Sequence, residues 1–266
     1  MTRLDRRKLL ALSALGLSGL ASGCDRLVAS APARNAISWG EWLSYRAQRF
    51  LIGADRLARE FSDADITKNF RANGTTEPQD GVYWKLAENQ FADWKLRIGG
   101  LVEQELELSL ADLKNLPSRT QITRHDCVEG WSCIGKWKGA PLAHVLDMAR
   151  VRADARYAVF YCADTMEGVP VEDGASEAEA AQSIRYYESL DLLDARHPQT
   201  ILAYEMNDAP LPVAYGAPLR LRVERQLGYK MAKYLMRIEL VGDFREIGEG
   251  RGGYWEDRGY DWYAGI

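Results

Sequence analysis

Arg124-His125-Asp126-Cys127-Val128-Glu129-Gly130-Trp131-Ser132 is the stretch on which the reading of this chain turns. It follows a strand-like run, Thr120-Gln121-Ile122-Thr123, and lies mid-chain, where a plain core segment would be apolar. Instead it surrounds one cysteine with a cation, an imidazole and two carboxylates. The residues alone leave three readings of Cys127 open. It is a metal ligand in a buried cofactor pocket, half of a disulfide with Cys133 in an exported chain, or a small core residue.

Outward from that stretch, the neighbouring segments alternate as strands do. Asp93–Ile98 and Leu106–Leu110 read as a hairpin-like β pair with a turn at Gly99-Gly100. Ser109 is placed to cap a short helix over Leu110–Leu116, which Pro117 closes. Pro141–Met148 reads as a further short helix and Tyr157–Cys162 as a buried strand. Tyr186–Leu190 precedes a short helical stretch, Ile201–Tyr204 is strand-like, Asn207–Pro210 is a turn, and Lys233–Val241 closes as a strand. Val171–Gln182 is acidic and Ala-rich and reads as an exposed helix or lid. The other cysteines are Cys24, Cys133 and Cys162, with no Cys-x-x-Cys pair, which argues against a structural zinc site.

Three motifs in order carry a family resemblance. Cys127-Val128-Glu129-Gly130-Trp131-Ser132, followed by Trp137-Lys138-Gly139-Ala140-Pro141-Leu142, resembles the molybdenum-ligand loop of the sulfite-oxidase-fold molybdopterin oxidoreductases. Within them it looks most like the branch of the periplasmic protein-methionine-sulfoxide reductase catalytic subunit. Gly216-Ala217-Pro218-Leu219-Arg220-Leu221-Arg222-Val223 and Gly228-Tyr229-Lys230-Met231-Ala232-Lys233 are the second and third matches. The resemblance runs from about Phe70 to Val241. It implies an α+β fold, the sulfite oxidase molybdopterin-binding fold, with mixed sheets and barrel-like antiparallel parts in a single domain.

The same resemblance implies a molybdenum-molybdopterin cofactor with Cys127 as its one protein ligand. A soft thiolate suits that metal, the dithiolene supplies the other sulfurs, and Arg124 nearby is expected to favour the thiolate. Arg71, Ala72, Asn73, Cys162, Tyr215, Arg220, Met231, Ala232 and Lys233 fall where the family binds the pterin and its phosphate. A phosphate wants glycine-turn N–H groups and fixed cations. Cys162 stands where relatives carry Thr, and Tyr215 where they carry His or Asn. His125 has no assigned role. The activity implied is two-electron redox or oxygen-atom transfer at molybdenum, with reduction of an S- or N-oxide, free or protein-bound, as the first choice. Sulfite oxidation, which would draw on Arg71 and Arg124 for a cationic pocket, is the alternative. A non-catalytic exported binding module on the same fold is the alternative of another class.

The 266 residues carry a net charge of -4. The first 24 hold four basic residues and one acidic, so the remainder has 30 basic and 37 acidic residues and a net charge of -7. That balance gives no electrostatic reason to bind nucleic acid. Arg6-Arg7-Lys8 and the apolar run Leu9–Leu20 fit a twin-arginine export signal over 1–24; the run is too short to span a bilayer. Ala21-Ser22-Gly23-Cys24 resembles a lipobox, and Ala29-Ser30-Ala31 offers an ordinary cleavage site instead. A periplasmic location is implied, tethered to the outer face of the inner membrane if Cys24 is lipidated. The electron partner expected there is a membrane haem protein or a cytochrome. Residues 25–69 read as a helical arm, with helical spacing from Trp39 to about Glu60 that suits packing on the domain or leaning on a membrane. The cofactor domain is expected over 70–245 and an aromatic tail over 246–266. A monomer is expected because no dimerisation domain follows.

Overall fold

The computed structural model describes residues 31–53, 55–176 and 182–266. The export segment and Cys24 lie outside the described residues, as does the 177–181 part of the acidic stretch. The chain divides into Met1–Ile52 and Gly53–Ile266.

In the first unit, α1 (Ala31–Ile52) is a single helix of 22 residues. Trp39 and Trp42 pack edge to face with centroids 5.8 Å apart, and the Arg46 guanidinium lies 5.4 Å over the Trp42 ring. The helical spacing points on to Glu60, but the helix stops eight residues earlier. Gly53 takes the left-handed conformation at φ 77° that ends helices. The segment after it is extended because it pairs with the domain: Glu60 bridges Thr123, and Phe61 N–H donates to Ile122 O at 2.9 Å. Residues 53–69 thus belong to the second unit, not to an arm. Among the described residues no helix is long and apolar enough to cross a membrane.

The second unit is α+β, with two sheets, one of them curled into a half-barrel. The first sheet orders β2 (Leu106–Ser109), β1 (Lys95–Gly100), β10 (Leu235–Val241), β5 (Tyr157–Gly168) and β6 (Ser183–Asp191). It is mixed, since β1 and β10 run parallel while the other pairs are antiparallel. Leu96 and Ile98 alternate inward from β1 and join Phe160, Ile238 and Leu240 in the main core. α4 (Leu142–Ala149) closes that core with Val145 and Leu146. α2 (Gly81–Glu88) buries Tyr83 against Tyr234. α3 (Leu110–Asn115) starts as its sequence requires: Ser109 Oγ accepts from Asp112 N–H at 3.1 Å, and the Asp112 carboxylate reaches back to Ser109 N–H. α5 (Leu192–Ala195) is one short turn capped by Asp191. Residues 171–176 form a bridge and a turn rather than a helix.

The second sheet orders β3 (Arg119–Asp126), β4 (Ser132–Pro141), β7 (Ile201–Met206) and β8 (Ala209–Pro210), with β9 (Arg220–Arg222) added on β7. Its inward face is partly polar. Gln121, Thr123 and His125 alternate inward from β3. They meet a buried ionic layer from β9, where Arg222 grips Glu224 through two bonds of 2.6 and 2.9 Å and Gln121 donates to Glu224 at 2.8 Å. A buried charge needs such a partner, because removing it leaves an uncompensated ion in a poor solvent. The guanidinium carbons of Arg220 and Arg222 lie over the Trp137 ring, 5.0 and 4.3 Å from its centroid.

Candidate cofactor site

β3 and β4 pair from Arg119↔Gly139 to Asp126↔Ser132, which leaves Cys127–Trp131 as the hairpin tip. The tip is closed by Cys127 N–H donating to Trp131 O at 2.9 Å and Gly130 N–H donating to Cys127 O at 3.0 Å. Gly130 sits at φ 86°, where a side chain is disfavoured. Cys127, Cys133 and Cys162 are free thiols, so the disulfide reading falls. Cys133 is buried behind the tip, where its sulfur accepts the Arg71 N–H at 3.4 Å.

The cysteine is half-buried on the wall of a cleft with about 750 Å³ of free space, part of it open to solvent. Val128 and Glu129 line it beside Cys127, and Asn73, Gly74 and Thr75 come in from the loop after Phe70. β5 contributes Asp164 and Met166, and β6 contributes Tyr186. Gly228, Tyr229, Met231 and Lys233 form another side, and Trp255 and Tyr260 complete it from the C-terminal segment.

The expected site residues separate into two groups. Asn73, Cys127, Met231 and Lys233 meet in the cleft. The Lys233 ammonium is held by the carbonyls of Asn73 at 2.7 Å, Ala214 at 3.2 Å and Thr75, so it ties the 73–75 loop to the floor. Burial and the Arg220 charge bring its pKa down to about 7. Cys162, Tyr215, Arg220 and Ala232 do not line the cleft. Arg220 is fully buried, donating to Tyr215 O at 3.0 Å and Met231 O at 3.3 Å, and burial beside Arg222 lowers its pKa to about 9. Tyr215 donates its hydroxyl proton to Phe70 O at 2.7 Å, which fixes the start of the Arg71-Ala72-Asn73 loop. Cys162 belongs to the main core.

Arg71 and Ala72 are also outside the cleft lining, and Arg71 is exposed beside the hairpin tip. It lies 5.0 Å over the Trp131 ring and pairs with Glu129 at 3.2 Å, while Trp131 Nε1–H donates to the same carboxylate at 2.9 Å. Arg124 does not serve the thiol as expected. The alternation of β3 turns it away from His125, out to solvent, where it pairs with Asp126 at 2.8 Å. The thiol pKa is raised, first by burial; among the nearby charges Glu129 raises it further and Arg71 opposes.

His125 points inward beneath the tip. Its Nδ1 is 3.1 Å from Arg222 Nη1 and 3.3 Å from Met231 Sδ. A guanidinium only donates, so Nδ1 accepts and the proton resides on Nε2, which is buried without a partner. Burial, then Arg222 and Arg220, hold its pKa well below the usual imidazole value. Gly228 runs directly over this ring: a Cβ there would come within 2.4 Å of Nε2. The glycine is required by space, since the backbone must cross a fixed imidazole.

Several lining residues were not among the expected site residues, and Asp164 is the most informative of them. Asp164 is 4% exposed, faces the cleft, and its Oδ1 has no hydrogen-bond partner. Burial pushes its pKa up to about 6 although Lys233 pulls it down. The pairing of β5 with β6 slips between Tyr161 and Thr165. Within that irregularity Cys162 joins the core and Asp164, two residues on, faces the cleft.

Among the described residues no group of three or more His, Cys, Asp or Glu side chains converges on a metal-sized site. A metal at Cys127 therefore takes its other ligands from outside the described residues. The cleft suits a pterin dithiolene with a phosphate. It offers one thiol, one unpartnered buried acceptor for the N–H edge of a pterin, and a lysine.

Residues 84–246 match the family described as the oxidoreductase molybdopterin binding domain. Among curated proteins, the chain is 34% identical over 218 residues to a protein of Azospira oryzae named as a candidate protein-methionine-sulfoxide reductase subunit, YedZ1, covering 82% of this chain and 71% of that one. It is 32% identical over 240 residues to the protein-methionine-sulfoxide reductase catalytic subunit MsrP of Xanthomonas axonopodis pv. citri, covering 89% and 70%. Among solved structures, the sulfane dehydrogenase SoxCD of Paracoccus pantotrophus aligns with a TM-score of 0.47 at 20% identity, over 61% of this chain and 45% of that one.

Proposed function

Because this chain belongs to the family of oxidoreductases with a molybdopterin-binding domain, we propose that it reduces sulfoxides, protein-bound methionine sulfoxide first among them. It is a molybdenum-molybdopterin oxidoreductase. The observation that carries the substrate reading is the cleft itself. Its single thiol sits among Val128, Met166, Trp255 and Tyr260, with no uncompensated arginine on its wall. Sulfite oxidation would draw on Arg71 and Arg124, yet neither lines the cleft and each pairs with a carboxylate, Arg71 with Glu129 and Arg124 with Asp126. The names of the relatives point the same way.

In this reading Cys127 is the protein ligand to molybdenum. Asn73, Asp164, Met231 and Lys233 hold the pterin and its phosphate, with Arg71 and Ala72 at the loop that carries Asn73. Cys162, Tyr215, Arg220 and Ala232 back that wall: Arg220 fixes the carbonyls of Tyr215 and Met231, and Tyr215 fixes that of Phe70. When bound, the cofactor supplies two-electron oxygen-atom transfer. Reduction of a sulfoxide to a sulfide and water takes up two electrons and two protons. Asp164, at about 6, and Lys233, at about 7, are the cleft groups that hold exchangeable protons near neutrality. His125 is buried, neutral and behind the wall, so it is a positioning residue for Met231 and the Cys127 tip.

The first 24 residues act as a twin-arginine export signal, which delivers the folded holoenzyme to the periplasm. Cys24 tethers it to the membrane, and a membrane haem protein or cytochrome supplies electrons. The test pairs metal analysis with two assays on protein from a molybdenum-replete host. The expected result is one molybdenum per chain and viologen-coupled reduction of methionine sulfoxide, both lost in Cys127→Ala. Ferricyanide-coupled sulfite oxidation without sulfoxide reduction overturns the substrate reading.

A further inference from the structure

The C-terminal segment lies beyond the residues that match the family, 84–246, yet it forms part of the cleft. Its place is fixed by bonds spread along its length. Tyr254 N–H donates to Tyr187 O at 3.0 Å, Leu227 N–H to Ala264 O at 2.9 Å, and the Tyr229 hydroxyl to Asp261 O at 2.7 Å. Glu256 reaches into the core and meets Lys230 at 2.5 Å, and Lys230 also bonds Glu188; all three are buried. Lys230 directly follows Tyr229, which itself lines the cleft. A free tail would not bury a carboxylate there, because an ion leaves water only for a close counter-ion.

The docking aims two rings into the cleft. Glu256–Arg258 form a 3-10 turn, Gly259 at φ 97° reverses the chain, and Tyr260 N–H closes back on Trp255 O at 3.0 Å. Tyr260 consequently stacks on Trp255 with centroids 5.2 Å apart and planes 27° apart. Tyr229 meets the Tyr260 ring edge-on at 5.2 Å. Tyr260 is still 37% exposed, so the stack is reachable from solvent.

We propose that the Trp255–Tyr260 stack is the wall that recognises the alkyl–sulfur end of the substrate, so that the C-terminal segment, outside the matched residues, contributes to the preference for sulfoxides. This rests on the sulfoxide-reductase reading. A sulfoxide is polarised, with negative oxygen and positive sulfur. Its oxygen must face the reacting centre at Cys127, which leaves sulfur and its alkyl arms to find other surfaces. Aromatic faces are electron-rich and apolar, so they attract both the positive sulfur and the methyl group. The same faces repel an oxyanion. A stack exposed at the cleft mouth also admits a side chain carried on a polypeptide.

Tyr260→Ala and Trp255→Phe in the holoenzyme test this, with molybdenum content measured in each. Tyr260→Ala is expected to raise KM for methionine sulfoxide about fivefold, ~1 kcal/mol of lost contact, while kcat changes by less than about twofold. Titration of the resting holoenzyme with methionine sulfoxide, followed by tryptophan fluorescence, is expected to give a signal that Trp255→Phe removes. Unchanged KM in Tyr260→Ala with full molybdenum, or an unchanged fluorescence signal in Trp255→Phe, overturns the proposal. A wild-type holoenzyme that holds molybdenum but reduces no sulfoxide is a separate outcome, which overturns the sulfoxide reading and this inference with it.

Discussion

Replacing Asp164 by Asn should stabilise the cofactor-free protein at neutral pH and cost it its cofactor. The carboxyl is 4% exposed, its Oδ1 is unpartnered, and burial raises its pKa from 3.8 to about 6. Its folded-state pKa is therefore above the unfolded value. The folded state binds the proton more tightly, so the associated stability is full below about 3.8 and is lost as pH rises through about 6. A shift of two units at ~1.4 kcal/mol each makes the charged carboxylate cost the fold about 3 kcal/mol at pH 7.5. Asn keeps the shape and one oxygen acceptor but never ionises. Part of the gain is offset, because Asp164 is an anion that supports the Lys233 ammonium and its loss drops the lysine pKa below about 7. For a unit of this size about 2 to 3 kcal/mol is ~4–12 °C in Tm. The assay is thermal unfolding of cofactor-free wild type and Asp164→Asn from pH 4 to pH 8, with pterin and molybdenum content of the loaded proteins alongside. The two proteins should lie closest at pH 4, diverge between about pH 4 and pH 6, and keep a constant gap above that, with the variant more stable and poorly loaded. Parallel curves across that range, or a variant that loads normally, would refute the reasoning.

Other substitutions probe the frame around the cleft. Gly228→Ala puts a Cβ 2.4 Å from a buried imidazole that Arg222 and Met231 hold, so it should destabilise by about 1–3 kcal/mol and lower molybdenum content, read by unfolding and metal analysis. Lys230→Met leaves Glu188 and Glu256 buried without their cation and should cost about 3–5 kcal/mol; Lys230→Met with Glu256→Leu should recover part of this in a double-mutant cycle. Arg71→Ala removes a pair whose side chains are 62% and 61% exposed, so denaturant unfolding should register less than about 1 kcal/mol.

Much of this architecture was open to a reading of the residues, and the exceptions have physical causes. The Ser109 cap, the strands after it and the loop around Cys127 form as local chemistry dictates, because each is settled by neighbours a few residues away. Gly99-Gly100 resembles a turn, yet both glycines remain in β1. At Gly100 a Cβ would sit 2.3 Å from Leu240 O, so the glycine answers to a strand far along the chain. Helix α1 stops at Gly53 because the next residues are recruited by β3. Arg124 is a different case: strict alternation from the inward His125 already turns it outward, so its separation from the thiol was legible and the proximity in sequence misled.

Asp164 shows where spacing stops being informative. Motif matching carries a role to a position, and it carried the cofactor contact on β5 to Cys162. Which side chain a strand presents depends on its pleat, and a slip in pairing changes the face of every residue beyond it. The pairing of β5 slips within Tyr161–Thr165, and it is Asp164 that lines the cleft. A carboxyl in that place is otherwise a liability, since burial makes its ionised form expensive and no protein donor reaches its Oδ1. A fold retains such a group when a ligand supplies the missing donor. Together with its place on the cleft wall, that misfit supports the cofactor contact proposed for Asp164, and only the folded chain brings the two observations together.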